Sequence, residues 1–220
     1  MLRRLLPVQW WDGPLVGAAC ALTLFGVAMI YSAGVTISPD PVVANAWPRQ
    51  AVWFGLALIV FTTITRISPR WYEWAATPSY VVALVLLAVT LVIGSGSGTA
   101  AGTRSWIGIG PARFQPAEVA KLATVLMLAR YLSQRDWSSA TLKDVLAPTA
   151  IATAPLLLVL LQPDLGTAQA FLGIMFVMLF WAGFPRHLLL LLASPGIALL
   201  LSFDVLVWSA YMVGVLGLLY

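Results

Sequence analysis

The sequence predicts an all-α fold: a polytopic helical membrane protein with seven or eight transmembrane helices and a cytoplasmic N-terminus. Three observations predict it. Of 220 residues, 61% are hydrophobic and only 9% charged, where soluble domains carry roughly 25% charged residues. Mean hydropathy is +0.94. The apolar residues fall in continuous runs of Leu, Val and Ala rather than in the alternating segments of an outer-membrane barrel.

The runs follow in order as Leu15 to Val35, Ala51 to Thr65, Ser79 to Ile93, Val119 to Leu132, Val145 to Leu161, Leu165 to Gly183, Leu188 to Phe203 and Val205 to Tyr220. Several are shorter than the ~20 residues that cross a ~30 Å hydrocarbon layer, and flanking Trp, Tyr, Arg and Pro residues complete the crossing at the interfaces. The first run is too long for the apolar core of a signal peptide and further runs follow it, so it reads as a retained helix. The longest connectors, Ile37 to Gln50, Gly94 to Phe114 and Ser133 to Asp144, are too short to enclose cores of their own. A single membrane domain over 1–220 is therefore expected. The last run stops at Tyr220 without a polar flank, and the expectation is a domain incomplete at its C-terminal side.

Charge fixes the orientation. Arg3, Arg4, Arg66, Arg70, Arg130, Arg135, Lys143 and Arg186 fall on one side of the alternating runs, and Arg49, Arg104 and Arg113 on the other. Basic residues collect in cytoplasmic connectors, so the larger set is placed inside. The net charge of +4 is spread among connectors and forms no dense patch, which excludes a nucleic-acid footprint. Cys20 is the one cysteine and lies inside the first run, so neither a disulfide framework nor a thiolate metal site is available.

Two polar strings interrupt the apolar pattern on the outer side. In Gln115-Pro-Ala-Glu-Val-Ala-Lys121, Glu118 and Lys121 sit three residues apart on one helix face. A charge at the membrane centre costs ~2.5–3.5 kcal/mol on insertion scales, so each needs a partner or solvent. A helix-start Glu neutralised by its own Lys is the bland alternative. In Gln162-Pro-Asp-Leu-Gly-Thr167, Pro163 ends one helix and Asp164 is placed to cap the next through N–H groups near Gly166 and Thr167. The Gly, Ser and Thr-rich segment 94–110 reads as a mobile outer loop carrying Arg104 and Trp106, with Arg113 following. Arg holds a diphosphate through paired hydrogen bonds, and Trp stacks on a sugar ring or anchors the interface. Together these residues describe a cationic, aromatic-edged cleft suited to an anionic amphiphile.

Residues Gly102 to Lys121, read as G-T-R-S-W-I-G-I-G-P-A-R-F-Q-P-A-E-V-A-K, resemble the pattern of the RodA/FtsW family, the shape, elongation, division and sporulation group. Gln162 to Thr167 is similar to that family's Q-P-D-L-G-T string. The short Arg-Phe-Gln-Pro loop resembles the RodA branch, with Ala117 where that branch usually has Ser. The resemblance implies a peptidoglycan glycosyltransferase of about ten spans in the bacterial cytoplasmic membrane. It implies lipid II and a growing glycan chain as substrates, a class B penicillin-binding protein as partner, and membrane lipids as surroundings. No cofactor is implied, and a divalent-cation requirement stays open. By resemblance, Arg104 and Lys121 supply cationic contacts, Trp106, Glu118 and Asp164 shape the cleft, and Arg113 and Gln162 complete the substrate-binding set. The family's proposed catalytic Asp lies in a large outer loop that nothing here matches, and Asp204 is read as a short outer turn. No catalytic residue is assigned. A lipid II flippase and a non-catalytic scaffold for the synthase are the competing functions.

Overall fold

The computed structural model describes residues 12–35, 46–96, 102–109, 112–134, 136–203 and 205–217. Arg3, Arg4, Arg135 and Asp204 lie outside the described residues. Eight helices are found among the described residues: α1 (Gly13–Gly34), α2 (Ala46–Ile64), α3 (Pro69–Ile93), α4 (Pro116–Leu132), α5 (Leu142–Leu160), α6 (Leu165–Trp181), α7 (Arg186–Leu201) and α8 (Val205–Gly217). By length and composition, α1, α3 and α5 are able to cross a membrane, while α6, α8 and the segment Arg186–Ala198 of α7 are shorter apolar helices.

Six of these eight helices start earlier than the hydropathy runs suggest, and α6 and α8 start with them. The run beginning at Ser79 is the second half of α3, which opens at Pro69 and includes Arg70, Trp71, Glu73 and Trp74. Proline suits a first helical turn because its missing N–H is unpaired there anyway. Pro78, inside the helix, does not end it. In α2 the polar turn Ala46 to Gln50 is likewise already helical. Composition marks where a helix is apolar, and capping marks where it begins.

Two compact units make up the chain, divided after Pro69. In the first, α1 packs against α2, with Tyr31 edge-on to Trp47 at 5.6 Å. Asp12 caps α1 by accepting the Leu15 N–H at 3.1 Å. Neither helix buries a residue fully.

The second unit holds two apolar clusters. In one, Phe171 of α6 is wholly buried beside Ala117, Ala120 and Ala123 of α4 and Ala83 and Leu87 of α3. The alanines allow helix backbones to approach closely, which matters where lipid removes any hydrophobic drive between helices. In the other, Trp137 stacks on Phe184 at 4.9 Å and lies 5.5 Å from Tyr131. Its indole N–H donates to the Leu132 carbonyl at 2.7 Å, so the buried ring keeps its one donor satisfied.

Prolines inside helices leave carbonyls without their usual partner, and two of these are repaired by hydroxyls. Pro155 has no N–H to offer the carbonyl of Ile151 four residues back, and the Tyr80 hydroxyl from α3 donates to it at 2.7 Å. Pro195 frees the carbonyl of Leu191 in the same way, and Ser194 supplies a hydroxyl at 2.7 Å. The connector before α5 closes on itself, because the Asp144 carboxylate accepts both the N–H and the hydroxyl of Thr141 at 2.8 Å. In that connector Ser138 donates its N–H to Asp136 at 2.9 Å, and these Ser138 contacts hold the carboxyl below its ordinary range. Gly183 adopts φ +89 after α6, the left-handed C-terminal position where a side chain is disfavoured.

Candidate functional site

The segment between α3 and α4 is not wholly irregular. Strands β1 (Ile107–Ile109) and β2 (Ala112–Phe114) form an antiparallel hairpin that pairs Ile107 with Phe114 and Gly108 with Arg113. An isolated bridge joins Ser95 to Trp106 through N–H to carbonyl bonds of 2.9 and 3.1 Å. The sequence gives little warning, since each strand is three residues long and glycine-rich stretches suggest loop.

This ladder positions the cationic residues. Arg104 is exposed, and its main-chain N–H donates to the Gln162 carbonyl at 3.2 Å. Its own carbonyl lies against Gly94, where an added methyl would collide with it and with the Thr90 carbonyl. Trp106 is half-buried. Arg113 donates from Nη1 to the Gly96 carbonyl at 3.2 Å, so one face of its guanidinium braces the loop.

The two polar strings meet at the start of α6. Asp164 caps that helix, taking the Thr167 N–H on Oδ1 at 3.0 Å and the Thr167 hydroxyl on Oδ2 at 2.8 Å. Gln115, the residue before α4, donates from Nε2 to Asp164 Oδ2 at 3.3 Å. The carboxylate therefore serves as cap and as cross-link between α4 and α6. Neither Gln115 nor Thr167 stands out in the sequence as a site residue. The one available signal is a polar side chain at each helix start, which capping explains equally well.

Gln162 is fully buried. Its Nε2 donates to the Leu87 carbonyl of α3 at 3.0 Å, and its Oε1 has no protein partner. Ser105, next to Arg104, is also fully buried with an unpartnered hydroxyl. Glu118 and Lys121 pair at 2.8 Å, with their side chains 58% and 27% exposed. No hydrogen bond joins them to Asp164 among the described residues. The structure thus brings Arg104 together with Gln162, and Asp164 with Gln115, and keeps Glu118 and Lys121 as a separate pair on α4. Among the described residues no cluster of His, Cys, Asp and Glu is able to hold a metal ion.

Chemically, this arrangement offers an exposed Arg on a segment held by its backbone, a half-buried indole two residues on, and, two residues beyond Gln162, a carboxylate that caps α6. Guanidinium groups recognise phosphate oxygens by paired hydrogen bonds.

A family model described as cell cycle protein, for FtsW, RodA and SpoVE, matches residues 14–215. The peptidoglycan glycosyltransferase RodA of Treponema pallidum is 34% identical over 186 residues, covering 84% of this chain and 42% of that protein. The solved Rod shape determining protein RodA of Thermus thermophilus is similar at a TM-score of 0.70 and 34% identity, covering 94% of this chain and 71% of that one. A chain solved in a peptidoglycan synthase complex, described as coordinating polymerization and crosslinking, is similar at a TM-score of 0.72 and 36% identity, covering 89% and 54%. The chain spans about half the length of the curated relatives it matches. With these likenesses and its apolar helices, it is a polytopic helical membrane protein.

Proposed function

The chain belongs to the FtsW, RodA and SpoVE family of cell cycle proteins, and from that membership we propose that its whole protein is a peptidoglycan glycosyltransferase polymerising lipid II for cell elongation and shape. Its place is the bacterial cytoplasmic membrane, with the hairpin and the Gln162 to Thr167 turn facing outward. A class B penicillin-binding protein is its partner, a reading supported by the similar chain of a peptidoglycan synthase complex.

The observation that carries the reading is the junction of the two polar strings, through Arg104 N–H to Gln162 and Gln115 to Asp164. In the proposed reaction the 4-hydroxyl of a lipid II GlcNAc attacks the anomeric carbon of the growing chain's MurNAc. The new C–O bond forms as the bond to undecaprenyl diphosphate breaks, and the hydroxyl proton passes to a base. Charge develops on the departing diphosphate, where preformed donors stabilise it. Arg104 and Arg113 supply that charge from the loop and Lys121 from α4, while Trp106, Glu118 and Asp164 shape the walls. Gln162, buried beneath them, supports the set from behind. Lys121 is already paired with Glu118, so a phosphate shares it with the carboxylate. None of these residues is assigned as the base.

The test uses the purified whole gene product in detergent micelles with lipid II and its synthase partner. Glycan strands resolved on a gel are expected, because polymerisation needs no bilayer whereas flipping does. Absence of strands overturns the reading in favour of a flippase or scaffold. Arg104→Ala and Lys121→Ala are each expected to slow strand formation roughly 10²-fold, the scale of losing one transition-state donor. Unchanged rates remove both from the site.

A further inference from the structure

We infer that Gln162 is a positioning residue: its buried carboxamide sets the turn after α5 so that its main-chain carbonyl holds the Arg104 segment, just ahead of β1, in place. The inference rests on the glycosyltransferase reading only for what Arg104 then does, since the grip on the segment is a matter of geometry.

Four contacts fix that segment, one on the turn that grips it and three on its own backbone. The carboxamide is fully buried and anchored to the Leu87 carbonyl of α3 by its Nε2 at 3.0 Å. The Gln162 carbonyl takes the Arg104 N–H at 3.2 Å. The Arg104 carbonyl rests against Gly94, where no side chain fits. Two residues on, Trp106 is bridged to Ser95. The backbone of residue 104 is thus held on both sides, while its side chain projects exposed with no hydrogen bond or ion pair to the described residues.

A purely stabilising side chain at this place would not need to be polar. Gln162 Oε1 is buried without a protein partner, an arrangement that costs free energy. The Leu87 carbonyl lies inside α3 and also serves the helical amide four residues on, so it is not orphaned when the carboxamide is removed. An apolar side chain of similar volume is therefore compatible with the core and removes an unpaired acceptor. What it cannot do is tie the turn to α3. The carboxamide specifies where the turn sits, and through the turn where Arg104 is presented.

The test separates position from stability. In the purified whole gene product in micelles, Gln162→Met is expected to unfold within a few degrees of the unaltered protein. Amide exchange in the peptide containing Arg104 should accelerate tenfold or more, with α4 and α6 unchanged. Unchanged exchange at Arg104 overturns the inference, and so does equal acceleration in all helices of the unit, which marks a general loss of stability. Gln162→Leu repeats the measurement should the Met variant not fold, and failure of both to fold also overturns it. In strand formation from lipid II, Gln162→Met should lower the maximal rate, with the lipid II concentration needed for half-maximal rate little changed. In an Arg104→Ala background the same change should add nothing, because both act through one group. Multiplying losses overturn the inference. If the unaltered protein makes no strands, the glycosyltransferase reading fails, and the exchange measurement alone still decides the role of Gln162.

Discussion

At the scale of single residues, Asp164 combines a structural and a chemical property that substitution separates. Asparagine retains an acceptor for the Thr167 N–H, so Asp164→Asn should leave thermal unfolding in micelles nearly unchanged. Asp164→Ala removes the cap of α6 and the cross-link to Gln115, with a loss of about 1 kcal/mol from the cap alone. Strand formation that survives Asn but not Ala would assign Asp164 to structure and take it out of the cleft. Gly94 makes a sharper case. Its neighbours are the backbone carbonyls of Arg104 and Thr90, which are unable to swing away like a flexible side chain. Gly94→Ala should therefore displace the Arg104 segment, read as faster amide exchange at residues 102–109. The motif residues were legible in the sequence as polar exceptions within apolar runs. Their grouping was not, because Gln115 and Asp164 are 49 residues apart and only the packing of α4 on α6 brings them together.

Helices that contain proline depend on a neighbour to complete them. Tyr80 of α3 donates to the Ile151 carbonyl that Pro155 leaves open in α5. Tyr80→Phe should cost about 1–3 kcal/mol, the range for a buried polar group losing its partner, measured by thermal unfolding in micelles. Pro155→Ala restores an intrahelical N–H to Ile151, so the combined variant should recover much of that loss. Additive losses would show that the hydroxyl bond contributes nothing specific. This pairing also explains a limit of sequence reading. Hydropathy located every helix among the described residues, but it began α3 at Ser79 because proline and charge look like a boundary. The structure continues through Pro78, since a proline costs a single carbonyl bond that the surroundings can tolerate. The hairpin formed by β1 and β2 was hidden for the opposite reason: three-residue strands carry too little pattern to rise above a glycine-rich segment.

At the scale of the molecule, the proposed orientation puts the hairpin on the outer face and the connector before α5 in the cytoplasm, and this can be tested directly. Cys20 is the one cysteine, so Cys20→Ala gives a background for site-directed labelling. In cells whose outer membrane has been opened, Gly102→Cys should react with an impermeant maleimide. Ser138→Cys should react only after the inner membrane is also breached. The reverse pattern would overturn the proposed orientation and, with it, the proposed outward-facing site. The expectation of orientation rests on the sequence alone, because basic residues sort by side regardless of detailed packing.

The turn between α5 and α6 has a mechanical consequence. Both Gln162 and Asp164 return their N–H groups to the Val159 carbonyl, and only residues 161–164 separate the two helices. Such a joint has no slack, so it transmits displacement instead of absorbing it. A rigid tilt of the α5 and α6 pair would pull on the Arg104 segment, which is also held at the end of α3 through Gly94 and Ser95, so the displacement would reach α3 as well. Conformational freedom near Arg104 is therefore expected in parts of the protein that this joint does not touch.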